Sequence, residues 1–307
     1  MDKIKLSPSA LQNLEKCSWM FFCQNLLKIP QRPSTAMSLG LIAHLVLQLM
    51  LKPRRKKLFK FVVGQNSIIG SSLEFLCRQQ LNKHKIFSEE NLDKLNTFIM
   101  TGLRTDFYCE GSTKILTEQW IKLEDDNYII RGIIDKLIFY DHKKIHCLDF
   151  KTSKIKFNKK DAENNLQGQI YSLAVLEEYG VIPEFEFIFL KFVRQPIQKL
   201  KKFTKRELLG LKSTLTNIAT YIQGFGIKEA KSNYAAYDPN RQYICKRMCQ
   251  YKNPFIYYSL VDIDGKMLKS SFNKADLEPD LKKGINLAII QRRYNGCLAW
   301  KKVNESM

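Results

Sequence analysis

The spacing of apolar positions changes along the chain, and each change marks a different kind of element. Near the N-terminus Ser7 offers a helix cap with Pro8 at the first helical position, and Leu11, Leu14, Cys17 and Phe21 follow at helical spacing. A short helix is expected there. After a loop at Pro30 to Pro33, residues 36–51 are almost wholly apolar, broken only by polar or small positions such as Gly40, His44 and Gln48. That run falls short of the roughly 20 apolar residues a membrane-spanning helix needs, so it predicts a buried helix and no membrane partner. Residues 52–110 read as a basic, mostly helical insertion. It opens on Lys52-Pro53-Arg54-Arg55-Lys56-Lys57 and carries a cap at Ser88 with Glu89 and Glu90 in the first turn.

From Ile115 to Thr152 the period drops to two. Runs at 116–123, 128–139 and 145–151, separated by Glu124-Asp125-Asp126-Asn127 and Asp141-His142-Lys143-Lys144, predict an antiparallel meander. A helix over 160–179 should stop at Gly180, which tolerates a left-handed cap. A strand is expected over Glu184 to Val193, and Thr204 with Glu207 forms a capping box that opens a helix to about Ile222. Beyond Pro254 the pattern predicts a strand over Tyr257 to Asp264 and a basic helix over Leu281 to Tyr294. Internal repeats and a phosphate-binding loop are both missing from the sequence, which excludes a motor domain.

Composition narrows the class. With 307 residues, 45% of them hydrophobic, and only 14 Gly and 9 Pro, the chain can bury one sizeable core, so a single domain over residues 1–307 is expected. A net charge of +20 favours a polyanionic partner, nucleic acid ahead of an anionic membrane surface. Solvated charge from a lysine-rich composition is the other reading. Asp2, Glu15 and Lys16 interrupt any export signal, which places the chain in the cytoplasm. Eight scattered cysteines then read as reduced thiols or metal ligands, not disulfides.

Strand alternation puts Asp135 on one face with Ile133 and Leu137, and aims Asp149 and Lys151 the same way as Cys147. Burying these charges costs several kcal/mol each unless something compensates, and a divalent cation between the carboxylates would do so. Such a cation polarises a phosphodiester and acidifies a water, while the lysine stabilises developing charge. Taken alone, a D-x-K tripeptide reads first as a buried ion pair between Asp149 and Lys151, with Asp135 capping a turn.

The order of residues resembles the RecB-like branch of the PD-(D/E)XK nucleases, which includes CRISPR-associated exonucleases. Leu6-Ser7-Pro8-Ser9-Ala10-Leu11 leading to Cys17 is similar to its opening helix, and Gly40 to His44 to its glycine–histidine helix. Gly132-Ile133-Ile134-Asp135 resembles the G-x-x-D strand, Asp149-Phe150-Lys151-Thr152 the D-x-K-T strand, and Gln167-x-x-x-Tyr171 the Q-x-x-x-Y helix element. The resemblance implies a restriction-endonuclease-like α/β fold, with a mixed central sheet flanked by helices, the insertion over 52–110 and a divergent segment over 255–307. It implies Mg2+ or Mn2+ held by His44, Asp135, Asp149 and the Phe150 carbonyl, with Lys151, Gln167 and Tyr171 completing the catalytic set. It also implies DNA as substrate, exonuclease action in repair, recombination or phage and CRISPR processing, and a helicase or recombination partner protein. A catalytically silent subunit and an RNA-directed nuclease share the same motifs. Glu118 can add an acidic group, although an exposed strand position accounts for it as well.

Many members of that branch hold a [4Fe-4S] cluster with one cysteine in the opening helix and three near the C-terminus. Cys17, Cys245 and Cys249 stand in similar positions. Asn253, Pro254 and Phe255 occupy the place of the remaining one, Cys297 lies far downstream and Cys23 is turned away on a helix, so an intact cluster is not expected.

Overall fold

The computed structural model describes residues 3–141, 143–282, 284 and 286–305, and the chain divides into two compact units that interleave in sequence. One comprises residues 1–5 and 33–218, the other residues 6–32 and 219–307.

A mixed sheet organises the first unit. Its strands are β1 (Ile4–Leu6), β2 (Lys114–Glu124), β3 (Tyr128–Phe139), β4 (Ile145–Lys151), β5 (Glu184–Phe189) and β6 (Ile197–Lys199), in the order β1-β3-β4-β5-β6 with β2 also on β3. The meander β2-β3-β4 is antiparallel, with bounds within two residues of those the alternation predicts. Of its second turn, His142 lies outside the described residues. β4 and β5 run parallel and so need a crossover, which helices supply.

The helices are α1 (Thr35–Met50), α2 (Lys56–Gln65), α3 (Ser72–Lys83), α4 (Glu89–Leu103), α5 (Lys159–Glu163), α6 (Leu166–Tyr179) and α7 (Lys205–Gln223), the last crossing the boundary between the units. Local chemistry fixes their ends. Ser34 and Ser88 accept the Met37 and Asn91 amides, and Thr204 and Glu207 cap each other reciprocally. The single helix expected over 160–179 is two, because Asn165 leaves the helix and accepts the Gly168 amide at 2.9 Å as the cap of α6. Gly180 ends α6 at φ +72°.

Residues from α1, α2, α3 and α4 form one core with Ile138, Leu148, Phe150, Ile188 and Leu190 of the sheet region. Ile138 is the β3 residue of this core, and Lys136, two positions before it, is likewise buried, whereas Asp135 is only partly so. Lys136 is wholly buried, donates to the Phe107 carbonyl at 2.7 Å and lies 4.0 Å from the centroid of the Phe107 ring. α6 meets the sheet through Tyr171 and Tyr179, which pack on Phe185 and Phe139.

The second unit opens with helix Pro8–Lys16, capped by Ser7 as its sequence predicts. That helix breaks at Cys17, which is extended, and resumes over Ser18–Phe21 before a wide π turn. Its sheet contains β7 (Phe255–Val261), β8 (Met267–Ser271) and β9 (Ala288–Tyr294), all antiparallel in the order β8-β7-β9. The helix expected over Leu281–Tyr294 is thus corrected; residues 283 and 285 of it lie outside the described residues. Pairing from Phe255↔Tyr294 to Val261↔Ala288 satisfies the β9 backbone in the ladder, and the β-branched Ile289 and Ile290 suit it. Tyr294 is buried, accepting from Trp19 Nε1 and donating to the Tyr251 carbonyl. Among the described residues, no single helix is long and apolar enough to cross a membrane.

Candidate active site

Strands β3 and β4 pair as far as Lys136↔Leu148. The next residues in line, Asp135 and Asp149, stand where the two strands part. Parting leaves the Phe150 amide without a strand partner, and the Asp135 carboxylate takes it through Oδ2 at 2.6 Å. Its Oδ1 lies 3.1 Å from His44 Nδ1. Two of the expected site residues are joined in this way by elements 91 positions apart in sequence.

Two glycines make this approach possible. A Cβ on Gly40 would come within 2.9 Å of Thr152 Oγ1, so a larger residue would have to shift α1 or Thr152, and glycine lets α1 lie this close to the end of β4 and bring His44, one turn further on, to the carboxylates. A Cβ on Gly132 would come within 2.7 Å of the Tyr171 ring, so β3 and α6 are fitted together in the same manner.

From α6, Gln167 spans the D-x-K pair. Its Nε2 donates to Asp149 Oδ1 and its Oε1 accepts from Lys151 Nζ, both at 2.7 Å. Lys151 Nζ also lies 2.7 Å from Asp149 Oδ2, an ion pair whose angle does not make a hydrogen bond, and that buried oxygen has no other donor. Tyr171, one turn along α6, shares hydrogen bonds with Gln167 and the Ile133 backbone. Phe150 meets the His44 ring edge to face at 5.9 Å.

Electrostatics follow the burial. Asp149 is 4% exposed, and desolvation raises its pKa against the opposing pull of Lys151, with the Asp135 charge adding to the rise. At His44 burial works against the imidazolium, but the Asp135 hydrogen bond and the two carboxylates outweigh it, and the net shift is upward. A cation fits this donor set: two carboxylates stand at the fork beside an imidazole, and the buried Asp149 Oδ2 has no partner beyond its ion pair with Lys151. Among the described residues no three His, Cys, Asp or Glu side chains are already closed about one point. Asp149 and Asp135 are instead engaged by Lys151, Gln167, His44 and the Phe150 amide.

The structure therefore brings together His44, Asp135, Asp149, Phe150, Lys151, Gln167 and Tyr171. Thr152 is an addition: the sequence marks it only as the end of a motif, while the fold uses it as the surface on which Gly40 rests. Glu118 is half-buried, not exposed, and lies within electrostatic reach of the same carboxylates. On the insertion Lys52, Arg54, Lys56 and Lys57 are exposed.

In the second unit Cys17, Cys245, Cys249 and Cys297 are free, buried, and close enough to influence one another electrostatically. Burial pushes the Cys249 thiol up to about 12 and Cys245 to about 11. The Cys297 amide donates to the Lys252 carbonyl at 3.2 Å, so the pairing of β7 with β9 returns this remote cysteine to the segment in which the sequence lacks one.

Fold and site together define an α/β protein with an acid–acid–lysine centre at a fork between strands, the arrangement of a metal-dependent nuclease. The chain belongs to the PD-(D/E)XK nuclease superfamily, whose family model matches residues 5–253. Nucleases of this superfamily generally use divalent ions such as Mg2+ or Mn2+. Among solved structures, a candidate exonuclease from Eubacterium rectale is similar at 11% identity, with 78% of this chain and 87% of that one covered and a TM-score of 0.43. No curated protein matches the chain.

Proposed function

We propose that this nuclease is a Mg2+- or Mn2+-dependent deoxyribonuclease of the RecB-like branch that acts as an exonuclease in DNA repair, recombination or phage and CRISPR processing. The carrying observation is Gln167, which holds Asp149 and Lys151 in one hydrogen-bonded group while Asp135 and His44 face them. His44, Asp135, Asp149 and the Phe150 carbonyl would hold the cation. When bound, the cation supplies the charge that polarises a phosphate and acidifies water. Gln167 and Asp149 keep the Lys151 ammonium aimed at the phosphate, where it stabilises charge that builds on the oxygens as water adds and the ester P–O bond breaks. Tyr171, braced on Gly132, keeps α6 and hence Gln167 in register. A net charge of +20 and the exposed Lys52, Arg54, Lys56 and Lys57 support DNA as the partner.

The test is digestion of end-labelled linear, circular and single-stranded DNA, with RNA alongside, in Mg2+, Mn2+ or EDTA. Loss of label from linear DNA alone, only with metal, is expected. Cutting of circles would make it an endonuclease, cutting of RNA alone would change the substrate, and salt-sensitive binding without cutting would make it a silent subunit.

A second cofactor is proposed for the other unit. Although the sequence taken alone does not lead one to expect an intact cluster, the return of Cys297 to Lys252 supports the proposal that it takes the place of the thiol that Asn253, Pro254 and Phe255 lack, and that Cys17, Cys245, Cys249 and Cys297 would hold a [4Fe-4S] cluster fastening the opening helix to the C-terminal segment.

A further inference from the structure

One residue of β2 is out of line with its neighbours. Thr117 pairs with Lys136 and Gln119 with Ile134, so Glu118 lies opposite Asp135, the residue that anchors the fork. Glu118 alone in that strand has a positive φ, +50°, a left-handed conformation that crowds an L side chain and favours glycine. Strain of this kind persists in the middle of a ladder only where the surroundings hold it in place.

The kink sets the Glu118 carboxylate among like charges. It is half-buried, no hydrogen bond to it occurs among the described residues, and Asp135 and Asp149 both act on it electrostatically, opposed by His44. The three carboxylates thus act on one another, although among the described residues no three such side chains are already closed about one point, and Lys151 is already held by Asp149 and Gln167 and His44 by Asp135. A carboxylate taken partly out of water toward two others, without a donor of its own, lacks an electrostatic partner. A divalent cation at the fork provides one.

We infer that Glu118 is a third carboxylate of the cation site, brought to the metal with Asp135 and Asp149 by the left-handed kink in β2. The inference rests on the nuclease reading of this site and adds to it a ligand from a strand that carries none of the motif residues. It also gives the strained backbone a use. A neutral residue at 118 should weaken the cation site and glycine should in addition relax the strained backbone, whereas replacing a purely structural glutamate would leave cation binding as it is.

The experiment measures Mn2+ binding to the full chain without DNA, by the electron paramagnetic resonance of free Mn2+, together with thermal unfolding in EDTA. Glu118→Gln removes the charge and keeps the shape; Glu118→Gly removes both charge and strain. Both are expected to weaken Mn2+ binding by about tenfold or more, with melting in EDTA unchanged for the first and raised for the second. Asp149→Asn is the reference and should also lose binding. If Glu118→Gln and Glu118→Gly bind Mn2+ as the wild type does while Asp149→Asn does not, Glu118 is not a ligand and the nuclease reading stands. A wild-type protein that binds no Mn2+ would overturn that reading and this inference with it.

Discussion

Gly40 lies so near Thr152 that a single added Cβ would stand 2.9 Å from Thr152 Oγ1. The contact sets how closely α1 meets β4, and therefore where His44 meets Asp135. Gly40→Ala should leave stability within about 1 kcal/mol, because the helix-propensity gain of alanine offsets the crowding. Metal-dependent cleavage should nevertheless fall by about tenfold or more, since small misplacements of catalytic groups are costly. Removing the opposing hydroxyl in Gly40→Ala with Thr152→Ala should recover part of the loss relative to either change alone. A double-mutant cycle on cleavage rate measures this, and strict additivity would rule out the steric account.

The two 2.7 Å bonds of Gln167 separate groups that do chemistry from the group that holds them. Asp149→Asn and Lys151→Ala should each lower cleavage by about a thousandfold without unfolding the protein. Gln167→Ala should cost about ten- to a hundredfold, the range for a residue that orients a ligand. His44→Ala and Asp135→Asn should be partly restored by raised Mn2+, which a rate titration against metal concentration reads directly. Wild-type rates in Asp149→Asn would remove the assignment.

Lys136 points away from the Asp135 carboxylate into the helical core, and burial lowers its pKa from 10.5 to about 8. The charged form is thus disfavoured in the folded state, at a cost of about 3 kcal/mol near neutral pH, partly offset by its bond to the Phe107 carbonyl. Lys136→Met should then raise stability at pH 7 by about 1 kcal/mol. Between pH 8 and 10.5 the unfolded lysine still holds its proton while the folded one has lost it, so wild-type stability gains with rising pH relative to the variant. Urea unfolding of both proteins at pH 7 and pH 9.5 checks the sign. A gap that widens in favour of methionine on going to alkaline pH would contradict it.

Cys297 decides the second cofactor. Protein purified without oxygen should be brown and contain about four irons with matching sulfide per chain, and Cys297→Ser should bleach it. A colourless wild type that Cys297→Ser merely destabilises would leave the four thiols as small apolar packing residues.

What the sequence determined by itself was local or periodic. Alternation placed β2, β3 and β4 within two residues, and Ser7, Ser88, Thr204 and Gly180 marked helix ends, because a cap or a pleat is settled by residues a few positions apart. Motif order made His44, Asp135, Asp149 and Lys151 legible as one group. Tertiary structure decided the rest. Only the parting of β3 from β4 joins Asp135 to the Phe150 amide, and only the register of β2 sets Glu118 against Asp135. The segment Ala288–Tyr294 has a composition that suits a helix or a strand, and its long-range pairing with β7 selected the strand. That same pairing carries Cys297 back to Lys252, across a gap in sequence over which no spacing rule operates. Contacts between distant segments form when a core closes, and the free energy that selects them comes from burial and ladder bonds that no short window of sequence contains.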